Sequence, residues 1–182
     1  MKKIMFNDKY GLTKAVLEGR KTMTRRTVPE KLVKAIEGGV PGFAVMESKY
    51  KVGEVVAIAQ AYKDTCWTSP VLRLKNEPGW SNKMFVYAGL MPHQIRITNV
   101  RVERLQAISD EDALREGVIA DTHTTFNSAG YETDMPYFWV NGIEYNFDSP
   151  REAFAALIDR LSGKGTFESN PWVFVYEFEL VK

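Results

Sequence analysis

Residues 20–27 bring together the side chains of this chain best suited to chemistry. They hold four cations (Arg20, Lys21, Arg25 and Arg26) and three hydroxyls (Thr22, Thr24 and Thr27). No acid interrupts the run between Glu18 and Glu30, although the whole chain carries a formal charge of only +1. Such a local concentration of charge favours anions, phosphate first among them. A lysine crowded by arginines is also biased toward losing its proton. Both properties fit a site for a nucleotide or an RNA strand.

The rest of the composition limits what can surround that segment. At 182 residues, 45% hydrophobic and 26% charged, the chain is expected to form one globular domain over 1–182 with its own core. The near-neutral charge does not suit a dedicated, strongly basic nucleic-acid binder, so any such role needs a local patch. Cys66 is the one cysteine. No internal disulfide can form, and a reducing, cytoplasmic setting is expected. The N-terminal apolar run is too short for a signal peptide, and no stretch approaches the ~20 apolar residues of a membrane span. No membrane partner is therefore expected, and the oligomeric state is left open.

The elements that must position the basic segment follow from periodicity. Residues 3–6 read as a first strand. Leu12, Ala15 and Val16 recur at helical spacing, with Gly19 as a C-terminal stop. The alternation from Thr22 to Thr27 predicts an extended segment. Residues 30–37 predict a helix ended by Gly38 and Gly39, and residues 55–62 a strand covered on both faces. Residues 64–82 predict a long loop and residues 84–87 a short strand. Residues 93–105 predict the longest strand, with a phase slip near Asn99 that suggests a β-bulge. Ser109 opens a capping box for a helix that runs to about Glu116 and stops at Gly117. Residues 118–148 show no period and are rich in aromatics, so they read as an insertion of the lid or binding-loop kind. Ser149 and Pro150 start a helix with the stripe Phe154, Leu157, Ile158 and Leu161, ended by Gly163. Residues 172–181 predict a strongly apolar last strand. This order argues for an α+β fold with a small, partly open β-barrel.

The segment Gly19-Arg20-Lys21-Thr22-x-Thr24-x-Arg26 after a short helix resembles the signature of ASCH domains, in the PUA-like β-barrel superfamily. Gly53-Glu54-Val55 entering a strand, Arg115-Glu116-Gly117 ending a helix and the closing strand from Trp172 to Phe178 resemble the family as well. The chain looks like the larger ASCH-like proteins of bacteria and their phages. The resemblance implies an RNA-related function. One branch of the family removes the acetyl group from N4-acetylcytidine with a lysine and a threonine of the signature and a glutamate of the later helix. Carried over by motif, these are Lys21, Thr24 and Glu116. This chain is longer than that branch and adds Arg25 inside the signature. Arg20, Thr22, Arg25, Arg26, Glu54 and Trp139 are the expected substrate- or nucleic-acid-binding residues.

On that reading Thr24 is the nucleophile and Lys21 its base. A lysine base at neutral pH needs its pKa lowered by about three units from ~10.4, or roughly 4 kcal/mol. Burial and neighbouring arginines act in that direction; an ionised Glu116 close by acts against it. Glu116 is then a proton carrier or a partner for the cytosine edge. An arginine or backbone N–H groups would stabilise the oxyanion. Lys21 and Thr24 have opposite parity in a strand, so the chain must bend between them. The alternatives are a non-catalytic module that binds a nucleoside, nucleotide or RNA, and a ribonuclease on single strands. Without the resemblance, the basic run reads as solvated surface, Thr24 as a strand residue and Glu116 as an exposed acid. Most aromatics of 118–148 read as satellite core, with Tyr137 or Trp139 available to stack a base. Cys66 beside Trp67 reads as an inert thiol. His93, His123 and Cys66 match no metal-site spacing. No phosphate loop, dinucleotide fingerprint or nucleophile elbow occurs, so no metal and no cofactor is expected.

Overall fold

The computed structural model describes residues 1–65, 69–126 and 128–181. Cys66 and Trp67 lie outside them. The first half of the chain forms β1 (Lys3–Ile4), α1 (Leu12–Leu17), β2 (Met23–Thr27), α2 (Glu30–Glu37), α3 (Pro41–Met46) and β3 (Val55–Ile58). After α4 (Ser69–Leu72) come β4 (Gln94–Arg104), α5 (Asp110–Arg115), β5 (Ile119–Phe126) and β6 (Glu132–Trp139). The chain closes with α6 (Pro150–Ser162), α7 (Thr166–Ser169) and β7 (Trp172–Val181). The class is α+β, as expected.

Five strands form one mixed sheet in the order β1-β3-β4-β7-β2. Only β1 and β3 run parallel; the other pairings are antiparallel. The sheet is not closed into a barrel: β1 and β2 are its two edges. The apolar last strand takes the central position for which its composition suits it. Val173, Phe174, Val175, Tyr176 and Phe178 are all buried, so β7 is covered on both faces. The phase slip in β4 is a bulge. Ile97 lies opposite Phe178, but Asn99 lies opposite Glu177, which leaves Thr98 as the extra residue. Buried Ile95 and Ile97 thus change parity to buried Val100.

The capping signals behave as written. Ser109 Oγ accepts from Asp112 N, and Ser149 Oγ accepts from Glu152 N. Helix α6 buries Phe154, Leu157 and Ile158 against the sheet, but Leu161 is exposed, so the expected core stripe ends one turn early. A second, smaller apolar cluster around Tyr62, Val71, Val86 and Met91 anchors the long segment between β3 and β4.

Further sequence expectations are corrected. The loop expected over 64–82 holds α4 (Ser69–Leu72) and a 3-10 turn, Pro78–Trp80. The strand expected over 55–62 ends at Ile58, because Tyr62–Asp64 turn into a 3-10 helix. Residues 84–87 are not a strand. Met84 and Phe85 belong to a 3-10 turn, Lys83–Phe85, capped by Asn82 Oδ1 on Met84 N, and Val86 and Tyr87 join it to the next turn, Ala88–Leu90. Residues 118–148 are not an irregular insertion. They hold an antiparallel hairpin, β5–β6, paired from Ile119 with Trp139 to Phe126 with Glu132. Its strands are largely exposed on both faces. A strand with no buried face needs no apolar alternation, which is why periodicity missed it. The aromatics divide: Phe138 and Phe147 pack on the core, while Phe126, Tyr131 and Tyr145 are exposed.

Candidate functional site

Helix α1 ends at Gly19, whose φ of +75° only glycine adopts without strain. The chain then turns back. Lys21 N donates to the Ala15 carbonyl oxygen, Thr22 N to that of Arg115, and Thr22 O accepts from Phe178 N. These bonds fix residues 21 and 22 before β2 begins at Met23, so Lys21 lies outside the strand that holds Thr24 and strand parity does not separate the two. Gly117, at φ +105°, leaves room beside them: a Cβ there would meet Leu12 at 3.2 Å and the Lys21 stem at 3.7 Å.

The Lys21 side chain runs inward and is 2% exposed. Its Nζ donates to the Glu116 carbonyl oxygen at 2.7 Å and to Glu116 Oε2 at 2.5 Å. Glu116 caps the C-terminus of α5, where unpaired carbonyls and the helix dipole favour a cation. Burial pushes the Lys21 ammonium below the ordinary lysine value. Glu116 opposes that shift, and Arg26 and Arg25 add to it.

Arg25 has its guanidinium committed inside the protein. Nη1 donates to Glu116 Oε1 at 3.1 Å, Nε and Nη2 to Glu103 Oε1 at 3.0 and 2.7 Å, and Nη2 to Asp112 Oδ2 at 2.7 Å. Burial by itself favours the neutral form, but Glu116, Asp112 and Glu103 outweigh it and raise the Arg25 pKa. The network continues through Arg101, which bonds Asp112, Glu103 and Glu177, to Arg115, which bonds Glu177 at 2.8 Å. Four cations thus meet four carboxylates, and the cluster is charge-balanced.

A cavity of about 670 Å³ opens beside this network. That is within the size range of small-molecule sites, roughly 300–1,000 Å³. Lys21, Thr24, Arg25 and Glu116, all nearly sealed from water, line one part of it, and the buried side chains of Phe6, Leu105, Phe154, Leu157 and Ile158 back its apolar part. Arg26, Lys83, Asp8 and Lys9 stand at its polar rim. The cavity sits where the sheet stays open. Residues 24–27 come from edge strand β2, and residues 5–9 follow edge strand β1. Arg26 bridges the gap, donating from Nη2 to the Met5 carbonyl oxygen at 2.6 Å.

The fold therefore brings Lys21, Thr24, Arg25, Arg26 and Glu116 to one cavity. The other expected residues lie apart from its lining. Arg20 is exposed and paired with Glu18 at 2.6 Å. The Thr22 hydroxyl accepts from Arg115 Nε at 3.2 Å. Glu54 pairs with Lys2 at 3.0 Å, and Trp139 ends β6, opposite Ile119. Sequence reasoning missed Lys83, which donates to the Phe6 carbonyl oxygen and to Asp8 Oδ2. Phe154 and Leu157 are core, as expected, and they also back the cavity. Nothing local marks Lys83; for α6, the apolar stripe running one residue past the buried part was the available signal. Among the described residues, no group of three or more His, Cys, Asp or Glu is set to hold a metal ion. No helix among them is long and apolar enough to cross a membrane.

No family model matches the chain, and no curated protein matches it. Among solved structures, the crystal structure of protein EF3133 from Enterococcus faecalis V583, described under the family designation DUF984, superposes with a TM-score of 0.42 at 15% identity. The match covers 93% of this chain and 66% of that one. Likeness at this level assigns neither a family nor an activity.

Proposed function

We propose that this chain is a PUA-like protein of ASCH type whose cavity hydrolyses the amide of an N4-acylated cytosine nucleoside or a related modified base. The observation that carries the reading is the convergence of Lys21, Thr24 and Glu116, from two distant parts of the chain, on one nucleoside-sized cavity with apolar walls.

The reaction divides into two acyl transfers. Neutral Lys21 takes the proton of the Thr24 hydroxyl as its oxygen attacks the acyl carbon. The C–N4 bond breaks, and N4 receives that proton from Lys21, leaving an ester on Thr24. Water, deprotonated by the same amine, then attacks the ester, and the carboxylic acid departs as Thr24 regains its proton. For this, Nζ must leave Glu116 Oε2 and turn toward Thr24 while the Glu116 carbonyl oxygen retains it. Arg25 assists by sharing the charge of Glu116, which weakens the hold of the carboxylate on the lysine proton. Exposed Arg26 is the guanidinium available to the oxyanion.

One observation favours a different reading, a non-catalytic binding module. The Lys21–Glu116 pair is short and buried, and an ammonium held in that way is not a base. Incubation with N4-acetylcytidine, followed by release of cytidine, separates the two. Turnover that Lys21→Ala and Thr24→Ala both abolish establishes hydrolysis. Binding without turnover leaves the module, and turnover untouched by both substitutions removes the catalytic pair.

A further inference from the structure

The hairpin β5–β6 stands outside the five-stranded sheet and is largely exposed on both faces. Two strands alone are marginally stable in water, so the finish of their outer edges matters. Phe138 settles which backbone groups those edges carry. Its N–H and its carbonyl oxygen both bond to Phe147, on the side of β6 away from β5. Bonding direction alternates along an antiparallel ladder. Pro136, Asp134 and Glu132 therefore also turn their backbones outward on β6. Across the register, Ala120, Thr122, Thr124 and Phe126 do so on β5.

The two edges are finished differently. On β6, Phe147 covers Phe138, Pro136 offers no N–H, and Asp134 and Glu132 add exposed charges. These are devices that keep a strand edge from pairing. The β5 edge has almost none of them. Residues 120–126 contain no proline, no lysine or arginine, one acid (Asp121) and three threonines, which suit a strand. Among the described residues no strand pairs with this edge, and Ala120, Thr122, Thr124 and Phe126 are all exposed. Thr122 N is satisfied locally, donating to Asp121 Oδ1 at 2.8 Å, a bond that a neighbouring strand would replace.

The sequence of this edge is complementary to itself. Antiparallel pairing of two copies about a twofold axis at His123 brings outward-turned residues opposite one another. Ala120 then faces the partner's Phe126, Thr122 the partner's Thr124, and Asp121 the partner's Thr125. Small Ala120 leaves room for the ring of Phe126, which is 68% exposed in the single chain, and threonine pairs are favourable across strands. No acid faces an acid. Glu132 and Asp134 fall on the outer strands, three strand spacings or ~14 Å from the other outer strand, beyond the reach of charge at physiological salt. We propose that β5 is a self-association edge: two copies join along residues 120–126 into a four-stranded antiparallel sheet in the order β6-β5-β5-β6. So short a seam belongs to the weak, transient class of interface, with a dissociation constant on the order of 10 µM or above. The proposal is independent of the chemistry of the cavity.

Sedimentation velocity of the full chain from about 1 to 200 µM brackets that range; it is run at pH ~8, where histidine is neutral. The average mass is expected to rise from monomer toward dimer, and to rise further from low to physiological salt as the acidic hairpins are screened. Thr124→Pro repeats the device of Pro136 at an N–H that β6 does not use, and Thr124→Lys sets a cation opposite Asp134. Each is expected to stay monomeric and keep the melting temperature of the dilute wild type. In a Cys66→Ser background, His123→Cys is expected to form a disulfide-linked dimer on copper-catalysed air oxidation, because opposed residues of a non-hydrogen-bonded pair lie within disulfide reach. Pro136→Cys, on the outer strand, is expected not to. A chain that stays monomeric over the whole range overturns the proposal, as does a dimer untouched by both Thr124 variants. A dimer that Thr124→Lys disrupts but His123→Cys does not link overturns the register.

Discussion

The ion network under the cavity and the β5–β6 hairpin are both polar regions, yet the fold treats them in opposite ways. In the network, Lys21, Arg25 and Glu116 are nearly sealed from water, and each charge has a partner. In the hairpin, strands pair through their backbones while most side chains face solvent. Losing one partner is therefore costly in the first and has little effect at the exposed side chains of the second. The contrast also runs within the basic segment. Neighbouring Arg25 and Arg26 part company: one is 1% exposed and holds three carboxylates, the other reaches across the open edge of the sheet.

Substitutions can break this comparison. The largest effect is expected from Glu116→Ala, which leaves two buried cations without a shared partner. Removing one member of a buried pair costs about 3–5 kcal/mol, so the midpoint of thermal unfolding should fall by roughly 6–20 °C. A fall of only a degree or two would mean that the network is far wetter than its exposure indicates. Thr24→Ala should leave that midpoint within a few degrees of wild type while lowering kcat/KM on N4-acetylcytidine by at least about 100-fold. Comparable losses of stability and turnover would reassign Thr24 to packing.

Lys21 sharpens the contrast through pH. Burial lowers its folded-state pKa below the ordinary 10.5, despite Glu116. Between that lowered value and 10.5 the unfolded chain binds one more proton than the folded one, so this residue makes stability rise with pH across the window. The difference in melting temperature between wild type and Lys21→Met should accordingly move in favour of the wild type as pH increases. On the proposed mechanism, kcat/KM should rise as pH approaches the lowered value from below and level off above it, where the amine is neutral. A flat profile for both quantities would contradict a lowered lysine. The smallest effect belongs to the hairpin: Phe126→Ser, at a side chain 68% exposed, should change stability by no more than ~0.5 kcal/mol in a denaturant titration.

Much of the local structure was legible in the chain. Gly19, Ser109, Gly117 and Ser149 mark helix ends through backbone conformation and side-chain caps that act over four residues. The parity change from Ile97 to Val100 revealed the bulge without knowledge of the partner strand. The site was half legible. Lys21, Thr24 and Glu116 stood out by residue type and resemblance, but Lys83, Asp8 and the apolar wall from α6 did not. Glu54 and Trp139 are not among the cavity's lining residues.

The sequence by itself determined where helices and strands begin, which faces are apolar and where cations cluster, because these depend on neighbours a few residues away. Only the tertiary structure decided which cations are buried, that Lys21 meets a carboxylate 95 residues further on, and that the sheet stays open between β1 and β2. Burial of a charge depends on partners from distant segments arriving together, and a linear pattern of residue types does not record their distances.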